Sequence, residues 1–353
     1  MDVTHTALLR ATRLAVAASL MALAAPAGAA DYKLTILHVN DVESRLEPVT
    51  ETGARCTADD VQALRCAGGV ARLAARIRSE KATAPNVIVV DAGNSFTGSS
   101  FYDTHKQRAI SETMNLIGFD AMTVGDREFV DGTEMLSRFQ QSVRFPLLGA
   151  NINVQSDPFM KDRIYPILVT DRGERIALIG YSTEHLIELA KPTGVVYVQQ
   201  IEAALRFWVK QIQMMGVNKI IAISHAGYER DKQVAATVEG IDVIVGSALG
   251  APADLPTAPQ GAHDKKAPAA SHYPTIVKGV GGQSVVLVHA GAFGRSLGRL
   301  DVTFDAKGLP KHWQAETIAL TDAGAEDPGL KELVAMLAAS TASLPVASPT
   351  TMR

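Results

Sequence analysis

The chain has 353 residues, 47% hydrophobic and 20% charged, with a formal net charge of −3 at pH 7. That length supports one or two domains around a large core, and a charge so near zero argues against a binder of nucleic-acid polymers.

The N-terminus reads as a targeting segment. Arg10 and Arg13 precede an apolar run, Leu14 to Ala25, which is followed by Pro26-Ala27-Gly28-Ala29-Ala30. A basic start, a short apolar core and a small-residue Ala-x-Ala site make residues 1–30 a secretory signal peptide, cleaved near Ala29 or Ala30. The run is too short for a spanning helix, and no later segment is apolar for long enough. The expectation is a mature chain of about 323 residues with no membrane anchor, exported most simply to a bacterial periplasm.

A short apolar strand, Leu34 to Val39, then delivers Asn40-Asp41-Val42-Glu43. Cys56 and Cys66 follow in a polar stretch and are the only cysteines. In an oxidising compartment two nearby cysteines pair more readily than they bind metal, so a disulfide stapling a surface loop is expected, with two reduced thiols as the alternative. Gly68 to Arg78 has apolar residues at helical spacing. The strand Val87 to Val90 ends in Asp91-Ala92-Gly93-Asn94, and a helix of about Lys106 to Ile117 leads to a strand ending in Val124-Gly125-Asp126-Arg127-Glu128. A third helix after Asp131-Gly132 precedes a strand read over Phe145 to Asn151. Such βαβ repetition predicts a largely parallel, buried sheet.

The second half changes character. Tyr165 to Thr170 and Arg175 to Tyr181 flank a turn at Asp171-Arg172-Gly173-Glu174, a hairpin signal. A helix of about Ile201 to Met215 leads to a strand ending in Ser224-His225, and Ile241 to Val245 is another strand. Thr275 to Val280, Ser284 to Ala290 and Leu297 to Phe304 read as antiparallel strands with Gly-rich turns. Ala251 to Ser271 reads as a long loop, and residues 326–353 as a C-terminal helix with a frayed tail from Ala339. Two mixed sheets face to face with helices outside use all of these elements. The fold expected for residues 31–325 is therefore an α/β, four-layer α-β-β-α sandwich.

Four strands thus present polar groups at their C-terminal ends, where open α/β sheets place ligands. These ends resemble the metal-binding strand ends of the 5'-nucleotidase/UDP-sugar hydrolase branch of the calcineurin-like metallophosphoesterases. Gly68-Gly69-Val70-Ala71-Arg72, Phe145-Pro146-Leu147-Leu148-Gly149-Ala150-Asn151 and the segment Ala290 to Leu300 also look like matching segments of exported bacterial members. The resemblance covers roughly Leu34 to Asp305. It implies the same sandwich and a hydrolase of nucleotide catabolism, in which two divalent metals activate a water for attack on phosphorus.

The ligand positions implied by the resemblance are only partly filled. Asp41 matches the family's first aspartate and His225 its lone histidine. Glu43 stands where a histidine is usual, Asn94 where the bridging aspartate is, and Asp126 where the asparagine is. Arg127 replaces the histidine that stabilises the transition state, and Ala248 and Gly250 replace both histidines of the last motif. A neutral amide bridges two dications poorly, and an arginine cannot act as general acid and repels nearby metal, although it can hold a phosphate. Three readings of Asp41, Glu43, Asn94, Asp126, Arg127 and His225 therefore stand side by side. One is a salt-bridged site without metal; another is a single Mn, Mg or Ca ion held by Asp41, Glu43, Asn94, Asp126 and His225; the third is surviving dimetal catalysis. Asp91 reads as a hydrogen-bond organiser beneath the site. His105, His185, His263 and His272 lack paired spacing.

The functional expectation is a pseudoenzyme-like relative with weak or no phosphohydrolase activity, binding a small phosphate-containing ligand or a protein partner through the cleft. The alternatives are an active periplasmic phosphomonoesterase with an altered one- or two-metal site, and a periplasmic metal-binding accessory protein.

Overall fold

A computed structural model describes residues 31–247, 273–321 and 323–342. The signal-peptide reading of residues 1–30, the loop over Ala251 to Ser271, His263, His272, Ala248, Gly250 and the tail beyond residue 342 lie outside the described residues. No helix among the described residues is long and apolar enough to cross a membrane.

In chain order the main elements are β1 (Tyr32–Val39), α1 (Val70–Thr83), β2 (Val87–Asp91), α2 (Ser100–His105), α3 (Gln107–Ile117), β3 (Ala121–Thr123), α4 (Gly132–Ser142), β4 (Leu147–Leu148), β5 (Ile164–Tyr165), β6 (Ile167–Asp171) and β7 (Arg175–Ser182). They continue with α5 (Ile201–Met214), β8 (Ile220–His225), α6 (Tyr228–Thr237), β9 (Val243–Gly246), β10 (Thr275–Lys278), β11 (Ser284–His289), β12 (Ser296–Phe304), β13 (Pro310–Ala319) and α7 (Pro328–Ala342). One sheet has the order β13-β12-β1-β2-β3-β4-β5 and the other β10-β11-β9-β8-β7-β6.

Alternation along the strands builds the layers, because successive side chains point to opposite faces. Leu37, Val39 and Val89 turn outward to Leu73, Ile77, Ile110, Leu136 and Leu337 of the helices. Leu34, Ile36, Ile88 and Val90 turn inward to Leu178, Ile221, Ile223 and Val245 of the other sheet. On that sheet's far side, Ile179, Ala222 and Ile244 pack on Leu205, Val209 and Val234. Three apolar contact planes thus separate four layers, which is the α-β-β-α sandwich.

Several boundaries differ from the sequence reading. The helix expected over about 106–117 forms as α3, and a short helix not expected from the sequence, α2, precedes it, the two separated by Lys106 at φ +52°. The strand read over Phe145 to Asn151 contracts to Leu147–Leu148. Beyond it, the Ala150 amide donates to Gly180 of the opposite sheet at 2.6 Å, so the backbone leaves its own ladder. β11 lies parallel to β9 and is antiparallel only to β10. The strand β13 and the helix α6 were not anticipated.

Cys56 and Cys66 form a disulfide with Cα atoms 6.2 Å apart. The bond closes the loop between β1 and α1, and Cys66 is itself buried.

Candidate functional site

The site is assembled where β1, β2, β3 and β8 end. The segments after β1 and β2 lie side by side, and the amides of Asp41, Glu43 and Ser44 donate to the carbonyls of Gly93, Asn94 and Ser95, each at 2.9 Å. This ladder holds Asp41, Glu43, Ser44, Asn94 and Thr97 with positive φ, between +49° and +59°. Left-handed backbone at five non-glycine residues is locally unfavourable and persists only when the surroundings impose it, a pattern that clusters at functional sites.

Glu128 supplies much of that imposition. Its buried carboxylate accepts from four backbone amides: Ser95 and Gly125 at 2.7 Å, Asn94 at 3.0 Å and Phe96 at 3.1 Å. One side chain therefore fixes the turn after β2 to the turn after β3. Burial pushes its pKa above the usual carboxylate range, against the opposing effects of His225 and the amides. Asp91 does similar work below, accepting from the Gly93 amide and the Ser95 hydroxyl at 2.8 and 2.7 Å; burial raises its pKa to about 7. Gly125 closes the assembly, since a Cβ there would collide with the Asn94 amide oxygen.

These turns bring Asp41, Asn94, Asp126 and His225 to one rim. The His225 ring is buried, and its Nδ1–H donates to the Ala92 carbonyl at 2.7 Å. Its Nε2 then faces Asp41 Oδ1 at 3.7 Å and Asp126 Oδ1 at 3.8 Å. Burial works against the imidazolium, but Asp41, the Ala92 carbonyl, Glu128 and Asp126 together outweigh it, and the pKa is raised. Asp41 Oδ2 accepts from the Asn40 amide at 2.9 Å. Asn94 presents Nδ2 to Asp126 at 3.3 Å, while its Oδ1 accepts the Arg127 backbone N–H at 3.0 Å.

Arg127 and Glu43 define the other side of the rim. The Arg127 guanidinium lies 3.1 Å from Glu43 Oε1 and donates to the Thr97 hydroxyl at 3.1 Å. Glu43 Oε2 is held by Arg45 at 3.0 Å. Burial raises the Glu43 pKa, and the two arginines moderate the rise. Among the described residues, no group of three or more His, Cys, Asp and Glu side chains is arranged to hold a metal ion.

The role of Glu128 is not evident from the sequence, where its place directly after Gly125-Asp126-Arg127 is the available signal. Sequence reasoning missed Arg45 and Thr97, which carry none. His105 lies away from the site, bonded to Leu337 and Ser340 of α7, and the His185 ring meets Glu188.

Known proteins share both this fold and much of this sequence. A bovine 5'-nucleotidase is 37% identical over 305 residues, spanning 85% of this chain and 51% of its own length. A human 5'-nucleotidase is 35% identical over 91% of this chain and 55% of its own length. The solved structure of a 5'-nucleotidase precursor from Thermus thermophilus superposes with a TM-score of 0.78 at 32% identity, covering 89% of this chain and 60% of that one. The chain belongs to the 5'-nucleotidase branch of the calcineurin-like metallophosphoesterases. It spans about half the length of the curated 5'-nucleotidases it matches. No protein-family model matches it.

Proposed function

We propose that this 5'-nucleotidase relative is exported, and that its cleft binds a small phosphate-bearing ligand while hydrolysing phosphate esters weakly or not at all. The observation that carries the reading is the Arg127–Glu43 pair, at 3.1 Å. A permanently charged guanidinium at this rim repels a divalent cation and draws away a carboxylate that would otherwise bind one. The neighbouring donors agree: Asn94 is neutral, with its oxygen engaged by the Arg127 amide. Ala248 and Gly250 offer no ligating side chain. The residues present do not fit a two-metal centre. Arg127 remains 36% exposed and keeps N–H donors beyond those facing Glu43 and Thr97, suited to phosphate oxygens. Export is supported by the signal-like residues 1–30 and by the Cys56–Cys66 disulfide.

A second reading has its own support. A histidine anchored through Nδ1 to a backbone carbonyl, with two carboxylates before Nε2, is a donor pattern that suits one hard cation. On that reading the chain is a phosphomonoesterase, or a metal-binding accessory protein, with a single Mn, Mg or Ca ion drawn to Asp41, Glu43, Asn94, Asp126 and His225, although the described residues are not arranged here as a metal cluster.

Turnover of AMP and of an aryl phosphate in manganese, with metal content measured on the same preparation, tests both. Less than about one metal per chain, background turnover and saturable binding of inorganic phosphate support the first reading. Turnover with one bound metal supports the second. Two tightly held metals with brisk AMP hydrolysis overturn the first and restore ordinary nucleotidase chemistry.

A further inference from the structure

We infer that the sugar part of a sugar phosphate lies in a chamber beside the cleft, on the far side of Arg45. This rests on the cleft reading above and adds where the remainder of the ligand is held. The chamber has a volume of about 340 Å³, and Arg45, Thr52, Arg55, Ser99, Ser100 and Phe101 are among its lining residues. That volume is at the small end of ligand pockets, enough for a pentose and little more. Thr52 and Ser100 bring hydroxyls, Phe101 an apolar floor, and Arg45 and Arg55 two cations, while the Ser99 hydroxyl donates to the Ser44 carbonyl at 2.6 Å.

Arg45 is the wall common to cleft and chamber. Its Nη1 donates to the Glu43 carbonyl at 2.8 Å and to Glu43 Oε2 at 3.0 Å. Its Nε donates to Gly53 at 3.1 Å, and the guanidinium lies over the Phe293 ring, 4.6 Å from the centroid. Only glycine at 98 permits this placement, because a Cβ there would strike the Arg45 guanidinium. Since Glu43 offers its other oxygen to Arg127, one carboxylate serves two guanidiniums. The pair carries a positive charge that Glu43 alone does not balance. Burial accordingly lowers the Arg45 pKa, with only Glu43 opposing it.

The geometry also sets the ligand's length. Guanidiniums on opposite oxygens of one carboxylate place their nitrogens within about 8 Å of each other. A phosphate on Arg127 therefore lets the next few atoms of an ester reach Arg45, where the chamber begins. Arg55 stands at the same chamber, exposed and 3.5 Å from Glu47, and the Cys56–Cys66 bond holds its loop.

The test is calorimetric titration of the full chain with inorganic phosphate and, separately, with ribose 5-phosphate. Ribose 5-phosphate is expected to bind at least about tenfold more tightly, since the chamber adds contacts that phosphate alone lacks. Arg55→Glu, at the chamber and away from the cleft, should abolish that gain while changing phosphate affinity by less than about twofold. Ser100→Trp, which fills the chamber from an exposed position, should do the same, and thermal melts verify that both variants fold. Equal affinity for the two ligands, or a gain that survives both substitutions, overturns the chamber and leaves the cleft reading intact. Failure to bind inorganic phosphate at all removes the cleft reading, and the chamber falls with it.

Discussion

In the function proposed above, Arg127 decides what chemistry this rim supports. Replacing it with histidine removes the cation but supplies neither the missing bridge at Asn94 nor side-chain ligands at positions 248 and 250. AMP turnover by Arg127→His in manganese is therefore expected to stay at background, and a rise above the wild-type rate would contradict the site described. Glu128 makes a different prediction, because its carboxylate answers four backbone amides. Glu128→Gln places an amide N–H among those donors and should cost roughly 3 kcal/mol or more in urea unfolding. Asp231 provides a titration. It is buried, accepts from Tyr181 and Ser224 through Oδ1, and burial raises its pKa from 3.8 to about 7. The folded protein then keeps this proton between about pH 4 and 7 while the unfolded chain has lost it, so stability falls as pH rises through that window. Asp231→Asn preserves the acceptor and should flatten the pH dependence of Tm there. Asp41, Asn94, Asp126 and His225 were legible in the sequence because each follows a recognisable apolar strand. Arg45, Thr97 and Glu128 act across loops, where spacing along the chain says nothing about neighbours in space.

Among the elements, the strands buried on both faces were the easiest to read. β2 and β8 open with continuous apolar runs, Val87 to Val90 and Ile220 to Ile223, and β1 is apolar at Leu34, Ile36, Leu37 and Val39, as strands covered by helices on one side and a sheet on the other should be. The elements that escaped are those with weak apolar signals. β13 begins at a proline, its residues are half-buried or exposed, and it lies at a sheet edge, where proline is tolerated. α6 buries only Tyr228, Asp231, Val234 and Ala235. β4 was read too long because a short apolar stretch does not show where its partner changes. That crossing predicts a sensitive position. A Cβ at Gly180 of β7 would collide with the side chain and backbone of Leu148 on the opposite sheet. Gly180→Ala should therefore lower stability by about 2–3 kcal/mol, or abolish soluble expression, by overpacking.

For the whole molecule, the four layers were predictable from alternating strands and helices, whereas the chamber was not, since it is lined by residues 45–49 and 52–55 together with the distant residues 98–101. The disulfide belongs at this scale because it closes the loop that joins β1 to the helical layer. Cys56→Ser with Cys66→Ser should lower unfolding free energy by about 2–3 kcal/mol, the range for a loop of this size, and loosen the chamber wall before the sandwich itself. The pairing of β1 bears on how the protein is made. Tyr32 to His38 align with Phe304 to Gly298, so a strand that leaves the ribosome first lies between β2 and a partner synthesised more than 250 residues later. Until β12 arrives, one edge of β1 offers unpaired amides and carbonyls beside an apolar face, a template for mispairing. Contacts so distant along the chain also slow folding. A nascent chain of this kind is therefore open to mispairing from the delivery of β1 until that of β12.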